Sequence, residues 1–180
     1  GQAAVLEQLQ PTAVVFEMLT AEEADKADAD RTRIEAAWEA SGWPDYPIYA
    51  PLFDALGEAR IIGAAAPRDR VKTVYSDGAA TVFGPDATLY GLDAPLAQEE
   101  QATRETMQFA AHCEAMPLEM MGGMVAVQRY RDAVFARAAL EALERRRRQR
   151  LGAMAEHVAR AEQLRVPTLI MHSEDDEYVP

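Results

Sequence analysis

Three short apolar runs constrain the fold of this 180-residue chain more than any other feature. They cover residues 13–16, 60–65 and 166–171, and each is almost continuously apolar instead of alternating with polar residues. Strands that are buried on both faces of a parallel sheet have this pattern. Segments with helical periodicity separate the runs, so we predict an α/β fold with a mostly parallel sheet flanked by helices.

The two ends of the chain add one expectation about the sheet. The sequence begins with a short helical segment just before the run at 13–16, and it stops soon after the run at 166–171. It also begins without a methionine, a charged leader or an apolar leader segment. We therefore expect the fold to be incomplete at both ends.

Composition excludes several classes of function. The chain has 30 acidic and 18 basic residues, a net charge of -12, and this excess argues against binding to a nucleic-acid backbone. No apolar run approaches the ~18 residues of a membrane span. The single cysteine, Cys113, excludes an internal disulfide and a cysteine-rich metal centre. We expect a small-molecule partner, and exposed sheet edges would permit a homodimer.

Two charged residues stand where a parallel sheet usually binds its ligand. Glu17 directly follows the first apolar run and Arg68 follows the second. Ligands bind outside the carboxyl ends of parallel strands, so the pair would suit a general base beside an anion clamp. A structural ion pair that closes the sheet edge is an equally good interpretation.

A second set of polar residues lies on helical segments. His112 ends one predicted helix, and Gln128 and Asp132 stand four residues apart on one face of the next. Such a set could hold a metal or relay a proton, although no standard metal-binding spacing is present and the metal stays unknown. The alternative is that these are ordinary polar residues on a partly exposed face.

Four methionines, Met116, Met120, Met121 and Met124, cluster around Pro117 and a glycine pair. Methionine fills irregular gaps in protein cores, so core packing is the first interpretation. The same cluster could line a pocket for a flat apolar ligand.

Five segments together resemble the ChaN-like haem-binding uptake proteins of the Tiki superfamily, which include iron-regulated lipoproteins. The resemblance covers residues 1 to about 143 and is carried by the segments 14–19, 43–52, 61–68, 112–117 and 123–133. It implies an α/β sandwich and the handling of haem or iron at the bacterial cell envelope. It also implies a distant kinship with Tiki-type metallohydrolases and erythromycin-esterase-like enzymes, so a hydrolase is the alternative function.

The resemblance also implies a set of site residues. Haem would need apolar walls, an arginine for a propionate and a tyrosine or histidine near the iron. Arg68 fits the propionate role, and the candidates for the axial ligand are Tyr46, Tyr49, Tyr130 and His112. The Gly-x-x-His motif of the family and its closing Gly-and-His signature have no match here, so metal chemistry inherited from the superfamily is not expected. The predicted ligand-binding residues are Glu17, Tyr49, Arg68, His112, Gln128 and Asp132.

Residues 144–180 differ from the rest of the chain. Residues 1–143 carry the whole net charge of -12, whereas 144–180 have seven acidic and seven basic residues. We therefore predict one α/β domain over 1–143 and a tail of long helix plus strand over 144–180. The end of the tail resembles the strand and acid loop of α/β-hydrolases, with Asp176 in the position of the acid. No serine lies in a Gly-x-Ser-x-Gly elbow, so a working serine hydrolase is excluded and an inactive truncated or fused chain is a further alternative.

Overall fold

The computed structural model describes residues 1–163, apart from the side chains of 157–159 and 161–163. The chain divides into two compact units, Gly1–Ala142 and Leu143–Pro180. The described strands are β1 (Ala13–Phe16) and β2 (Arg60–Gly63). The helices are α1 (Gln2–Leu9), α2 (Ala21–Ala29), α3 (Ile34–Ser41), α4 (Tyr46–Asp54), α5 (Arg68–Asp77), α6 (Ala79–Phe83), α7 (Gln98–Ala111) and α8 (Met121–Gln163). Short 3-10 turns cover Arg31–Arg33, Ala87–Tyr90 and Leu118–Met120.

The sheet of the first unit is small. β1 and β2 pair in parallel, with Ala13 opposite Arg60 and Phe16 opposite Gly63. The mixed α/β class is confirmed, but the prediction of a mostly parallel sheet is wrong for residues 1–163, where these are the only strands. The reason is that the described chain after β2 forms only helices and turns. The third predicted strand, at 166–171, lies outside the described residues.

The spacing of Thr20 and Glu23 in the sequence is typical of a capping box and predicts the start of α2. The Thr20 hydroxyl accepts a hydrogen bond from the Glu23 backbone N–H, and the Glu23 carboxylate accepts one from the Thr20 N–H at 2.7 Å. This reciprocal capping box satisfies two of the donors that a helix N-terminus leaves unpaired.

Helix α2 is tied to strand β2 through Asp28. This carboxylate, with a side chain only 16% exposed, accepts the Ile61 backbone N–H at 2.7 Å and the Arg60 Nε–H at 3.1 Å. It also accepts a hydrogen bond from Arg31 at 3.2 Å. Asp28 therefore satisfies a strand N–H that β1 does not reach.

Two hydrophobic clusters hold the first unit together. The first surrounds Trp38, which is fully buried and donates its indole N–H to the Pro44 carbonyl oxygen at 2.7 Å. The second surrounds Phe83, whose ring meets that of Tyr130 edge-on at 6.0 Å. The aromatic contacts in both clusters add to the free energy gained by burying apolar area.

Described by itself, the second unit is helical from Leu143 to Gln163. Gly152, which could have divided the predicted helix, lies inside it. The side chains of 146–156 are exposed, and they include four of the five arginines in 145–150.

Candidate functional site

A cavity of about 450 Å³ lies between α5, α7 and the first turns of α8 in the first unit. Three residues of α5, two residues at the end of α7 and four residues on one face of α8 line it. The lining residues are Val71, Lys72, Tyr75, Gln108, His112, Met124, Val127, Gln128 and Arg131. We call it the three-helix cavity.

His112 is the candidate ligand in this cavity. It caps the end of α7, it is partly buried, and its Nδ1 lies 2.8 Å from the Gln108 carbonyl oxygen one turn earlier. Because a carbonyl oxygen only accepts, Nδ1 must carry the proton of this hydrogen bond. The neutral imidazole then has its lone pair on Nε2, which is the state in which histidine binds a metal.

The chain after His112 has an uncommon backbone conformation. Cys113 and Glu114 both have positive φ angles, of 53° and 58°, although neither is glycine. Two hydrogen bonds hold this turn, from Cys113 N–H to the Ala110 oxygen and from Glu114 N–H to the Phe109 oxygen, each at 3.0 Å. The two bonds form a Schellman motif, the common helix end that contains left-handed residues, so the C-terminal cap of α7 explains this conformation.

The three-helix cavity is cationic and has apolar walls. Lys72 and Arg131 line it, and neither forms an ion pair within residues 1–163. Val71, Met124 and Val127 supply the apolar part of the lining. An anionic molecule with a large apolar surface matches both properties.

The glycine pair at the start of α8 shapes one wall. A Cβ atom on Gly123 would lie 2.7 Å from Tyr75 Cδ2, so only glycine lets this ring lie against the helix. The same atom on Gly122 would lie 3.4 Å from a Glu105 carboxylate oxygen, which is an ordinary contact. Tyr75 Oη also donates a long hydrogen bond to the Met120 carbonyl oxygen at 3.5 Å.

Of the predicted site residues, three lie at or beside this cavity. His112 and Gln128 line it, and the Gln128 amide donates a hydrogen bond to Asp132 at 2.9 Å. This bond joins two residues four apart on α8, as their spacing predicts. Asp132 is exposed and is not among the lining residues.

Glu17 and Arg68 lie elsewhere. Arg68 is exposed at the start of α5, and its guanidinium donates to the Ser41 carbonyl oxygen at 3.1 Å beside Gly42. Glu17 is exposed just after β1, and no ion pair joins it to Arg68 within the described chain. Their roles as base and anion clamp stay predictions.

The candidate tyrosine ligands pack in the two hydrophobic clusters. The Tyr49 ring packs on Trp38 with centroids 4.4 Å apart and a tilt of 37°, and Tyr130 is only 5% exposed beside Phe83. Burial raises the pKa of Tyr46 above its ordinary value, and the charges of Asp54 and Glu35 add to the shift. The raised pKa disfavours a Tyr46 phenolate, the form that would bind iron. His112 lines the three-helix cavity and none of the three tyrosines does.

One comparison with known proteins decides the family. The model of the family described as haem-binding uptake, Tiki superfamily, ChaN matches residues 1–165. The chain belongs to this family. No curated protein sequence and no solved structure gives a significant match to it.

The donor set of the three-helix cavity fits the haem that the name of the ChaN family implies. The cavity offers an imidazole in the metal-binding tautomer, two cationic side chains and three apolar residues. Haem requires an axial ligand, partners for two carboxylates and an apolar wall. Met124 belongs to this wall, whereas Met121 is fully buried, so the methionine cluster divides between the cavity lining and the core.

Two further cavities in the first unit are acidic. One, of about 660 Å³ at the carboxyl end of β2, is lined by Glu22, Asp86 and Glu141 together with Arg137. A hydrogen bond from Lys26 and its charge lower the pKa of Glu22, so this carboxylate stays ionised. The other, beside α1, is lined by Glu7, Asp54 and Glu58. Carboxylates repel the propionates of haem, and these cavities suit it less than the three-helix cavity.

The described residues contain neither a metal-binding cluster of side chains nor a helix that could span a membrane. Residues 1–163 contain no group of three or more histidine, cysteine, aspartate or glutamate side chains that could hold a metal ion. No helix in the same residues is both long and apolar enough to cross a bilayer. The segment that resembles an α/β-hydrolase, including Asp176, lies outside the described chain.

Sequence reasoning missed most of the cavity. Lys72, Tyr75, Gln108 and Arg131 were not among the predicted site residues, because they lie on three helices whose contacts are distant in sequence. One signal was available: residues 124, 127, 128 and 131 follow the spacing of a single helix face, and Gln108 stands four residues before His112. This spacing identifies one face of α8 and one face of α7, but it does not show that the two faces contact each other.

Proposed function

We propose that the three-helix cavity binds haem, with the imidazole of His112 as the axial ligand of the iron. The observation that carries the proposal is the hydrogen bond from His112 Nδ1 to the Gln108 carbonyl oxygen at 2.8 Å, at a residue that lines the cavity. This bond fixes the tautomer and supports the ring as a ligand. Haem, when bound, supplies an iron atom with an open axial position for such a ligand.

The cations of the cavity have a defined part in the proposal. Lys72 and Arg131 carry no ion pair in the described residues, so their charges are available to propionate groups. Arginine pairs with a carboxylate through two parallel hydrogen bonds, and lysine acts as a point charge. Gln128, held by its bond to Asp132, adds a polar group at the same wall.

The apolar wall completes the proposed site. Val127 is 7% exposed and belongs to the second hydrophobic cluster, so it presents a fixed surface. Met124 and Val71 are partly buried and keep exposed area inside the cavity. A porphyrin face would cover this area and gain about 25 cal/mol for each Å² of apolar surface removed from water.

The test is a haemin titration of the purified chain, followed through a saturable shift of the Soret band. In the His112→Ala variant we expect the Soret shift to be lost, or to move to the wavelength of a haem whose iron has a weaker axial ligand. Lys72→Gln and Arg131→Gln should each weaken binding about tenfold, the value of one hydrogen bond to a charged group.

Matched controls come from residues that lie away from the cavity. Tyr49→Phe and Arg68→Gln remove an alternative axial ligand and an alternative propionate partner, and both should bind haemin as the unaltered chain does. Loss of binding in Tyr49→Phe together with retention in His112→Ala would overturn the assignment. A chain that does not shift the Soret band at all would overturn the function.

A further inference from the structure

One face of the arginine-rich part of α8 combines arginines with large apolar side chains. At about 100° per residue, an arc of roughly 140° contains Arg146, Arg150, Leu143, Met154, Arg147 and Leu151. Glu144 borders this arc beside Leu151, Arg148 lies further round, and Glu156 is on the opposite side. We call the first set the arginine–leucine face, and all of it belongs to the second unit.

The apolar members of this face are exposed. Leu143 is 63% exposed, Leu151 56% and Met154 62%. Scattered exposed apolar residues are common, but these three share one face of a single helix and alternate there with the arginines. Such apolar side chains gain free energy when an apolar phase covers them.

The arginines of this face differ from Arg148 in their ion pairs. Arg148 pairs with Glu144 at 3.5 Å, just outside the border of the arc. Arg146, Arg147 and Arg150 on the arginine–leucine face form no ion pair within residues 1–163. The face therefore presents three available guanidinium groups beside three apolar side chains, and no carboxylate.

We propose that the arginine–leucine face docks this chain on the surface of an anionic phospholipid membrane. Guanidinium groups bind phosphates, long arginine side chains reach the headgroups while their stems cover apolar surface, and leucine and methionine enter the acyl boundary. A nucleic acid would also attract the arginines but would leave the apolar side chains in water. Residues 143–163 contain no phenylalanine, tyrosine or tryptophan on which bases could stack.

The experiment measures binding of the full chain to phosphatidylcholine vesicles with and without phosphatidylglycerol, by co-sedimentation. Binding is expected only with phosphatidylglycerol and should weaken as salt is raised. Each basic residue near an anionic surface contributes about a factor of five, so the triple variant Arg146→Gln, Arg147→Gln, Arg150→Gln should bind roughly a hundredfold more weakly.

The control removes the same charge from the rest of the helix. Arg145→Gln, Arg148→Gln, Arg160→Gln leaves the arginine–leucine face intact and should retain most of the binding, with unchanged helical content by circular dichroism. Leu151→Gln with Met154→Gln should weaken binding although it alters no charge. Equal losses in the two arginine variants would overturn the proposal in favour of unspecific attraction.

Two other outcomes would also overturn it. Tighter binding to single-stranded RNA than to the anionic vesicles would assign the face to nucleic acid. Self-association in the absence of lipid that disappears in the Arg146, Arg147, Arg150 variant would assign it to a second copy of the chain.

Discussion

Replacing Gly123 by alanine tests how the wall of the three-helix cavity is built. The new Cβ would lie 2.7 Å from Tyr75 Cδ2 and 2.8 Å from Tyr75 Cζ, which is closer than carbon atoms approach in proteins. Overpacking in a core costs about 1–3 kcal/mol, and because Tyr75 is 42% exposed and its ring can turn aside, we expect the lower part of this range, about 1–2 kcal/mol. Alanine also favours a helix over glycine by up to about 1 kcal/mol, and less near a helix start, so we expect a net loss of about 1 kcal/mol.

Whether Gly123→Ala destabilises or stabilises the chain should depend on the side chain of Tyr75. In a Tyr75→Ala background the ring is absent, and Gly123→Ala should then stabilise the chain by up to about 1 kcal/mol through helix propensity alone. The coupling free energy between the two substitutions is thus expected to be about 1–2 kcal/mol. Gly122→Ala is the matched control, because its Cβ meets only a Glu105 oxygen at 3.4 Å and should be neutral or stabilising.

Urea unfolding of the four variants in the cycle and of the control measures these free energies, provided that the slopes stay equal. The reasoning is refuted if Gly123→Ala is tolerated as well as Gly122→Ala in the presence of Tyr75. It is refuted equally if the destabilisation persists after Tyr75 has been removed.

Three further predictions concern the fold of the first unit. Gly63→Ala should cost more than about 3 kcal/mol in urea unfolding, because its Cβ would lie 2.7 Å from the Leu19 carbonyl oxygen, and backbone cannot move aside as a side chain can. Asp28→Ala should cost about 1–3 kcal/mol because it leaves the Ile61 N–H without its acceptor, whereas Asp28→Asn keeps one oxygen and should cost less; equal losses would contradict this role. The raised pKa of Tyr46 means that the unfolded chain releases the phenol proton first, so this contribution to stability is present below pH 10 and is lost as the pH rises through the folded pKa. Urea midpoints between neutral pH and pH 11 should therefore fall less steeply in Tyr46→Phe, and parallel profiles would contradict the shift.

Local signals in the sequence predicted local structure well. The spacing of Thr20 and Glu23 predicted the capping box, and both of its hydrogen bonds are present. The apolar runs at 13–16 and 60–65 predicted the strands that pair in parallel. These features depend on residues close in sequence or on a continuous apolar pattern, which a single chain displays directly.

The extent of the sheet could not be predicted in the same way. A short apolar run does not state how many strands it joins, and the prediction of a mostly parallel sheet assumed that every helix returns to a new strand. Between β2 and Gln163 the chain instead packs helices on one another. Val74 and Tyr130, more than fifty residues apart, lie buried in the same cluster, and no local pattern specifies that contact.

The backbone at the carboxyl ends of the strands explains why we propose a site elsewhere in the first unit. The sequence placed a site at the carboxyl ends of the strands, where Glu17 and Arg68 begin the connections. In the structure the Ala64 N–H donates to the Phe16 oxygen and the Ala65 N–H to the Leu19 oxygen, so backbone occupies this edge as α2 begins.

The charged side chains near this edge of the sheet also disfavour an anionic ligand there. The cavity beside it carries Glu22, Asp86 and Glu141, and a dianionic ligand would meet carboxylates there. Lys72, Arg131 and His112 are instead gathered by three helices at the other cavity. In a chain with net charge -12, an anion with a large apolar face is best bound where the few cations converge, and this favours the helical cavity over the sheet edge.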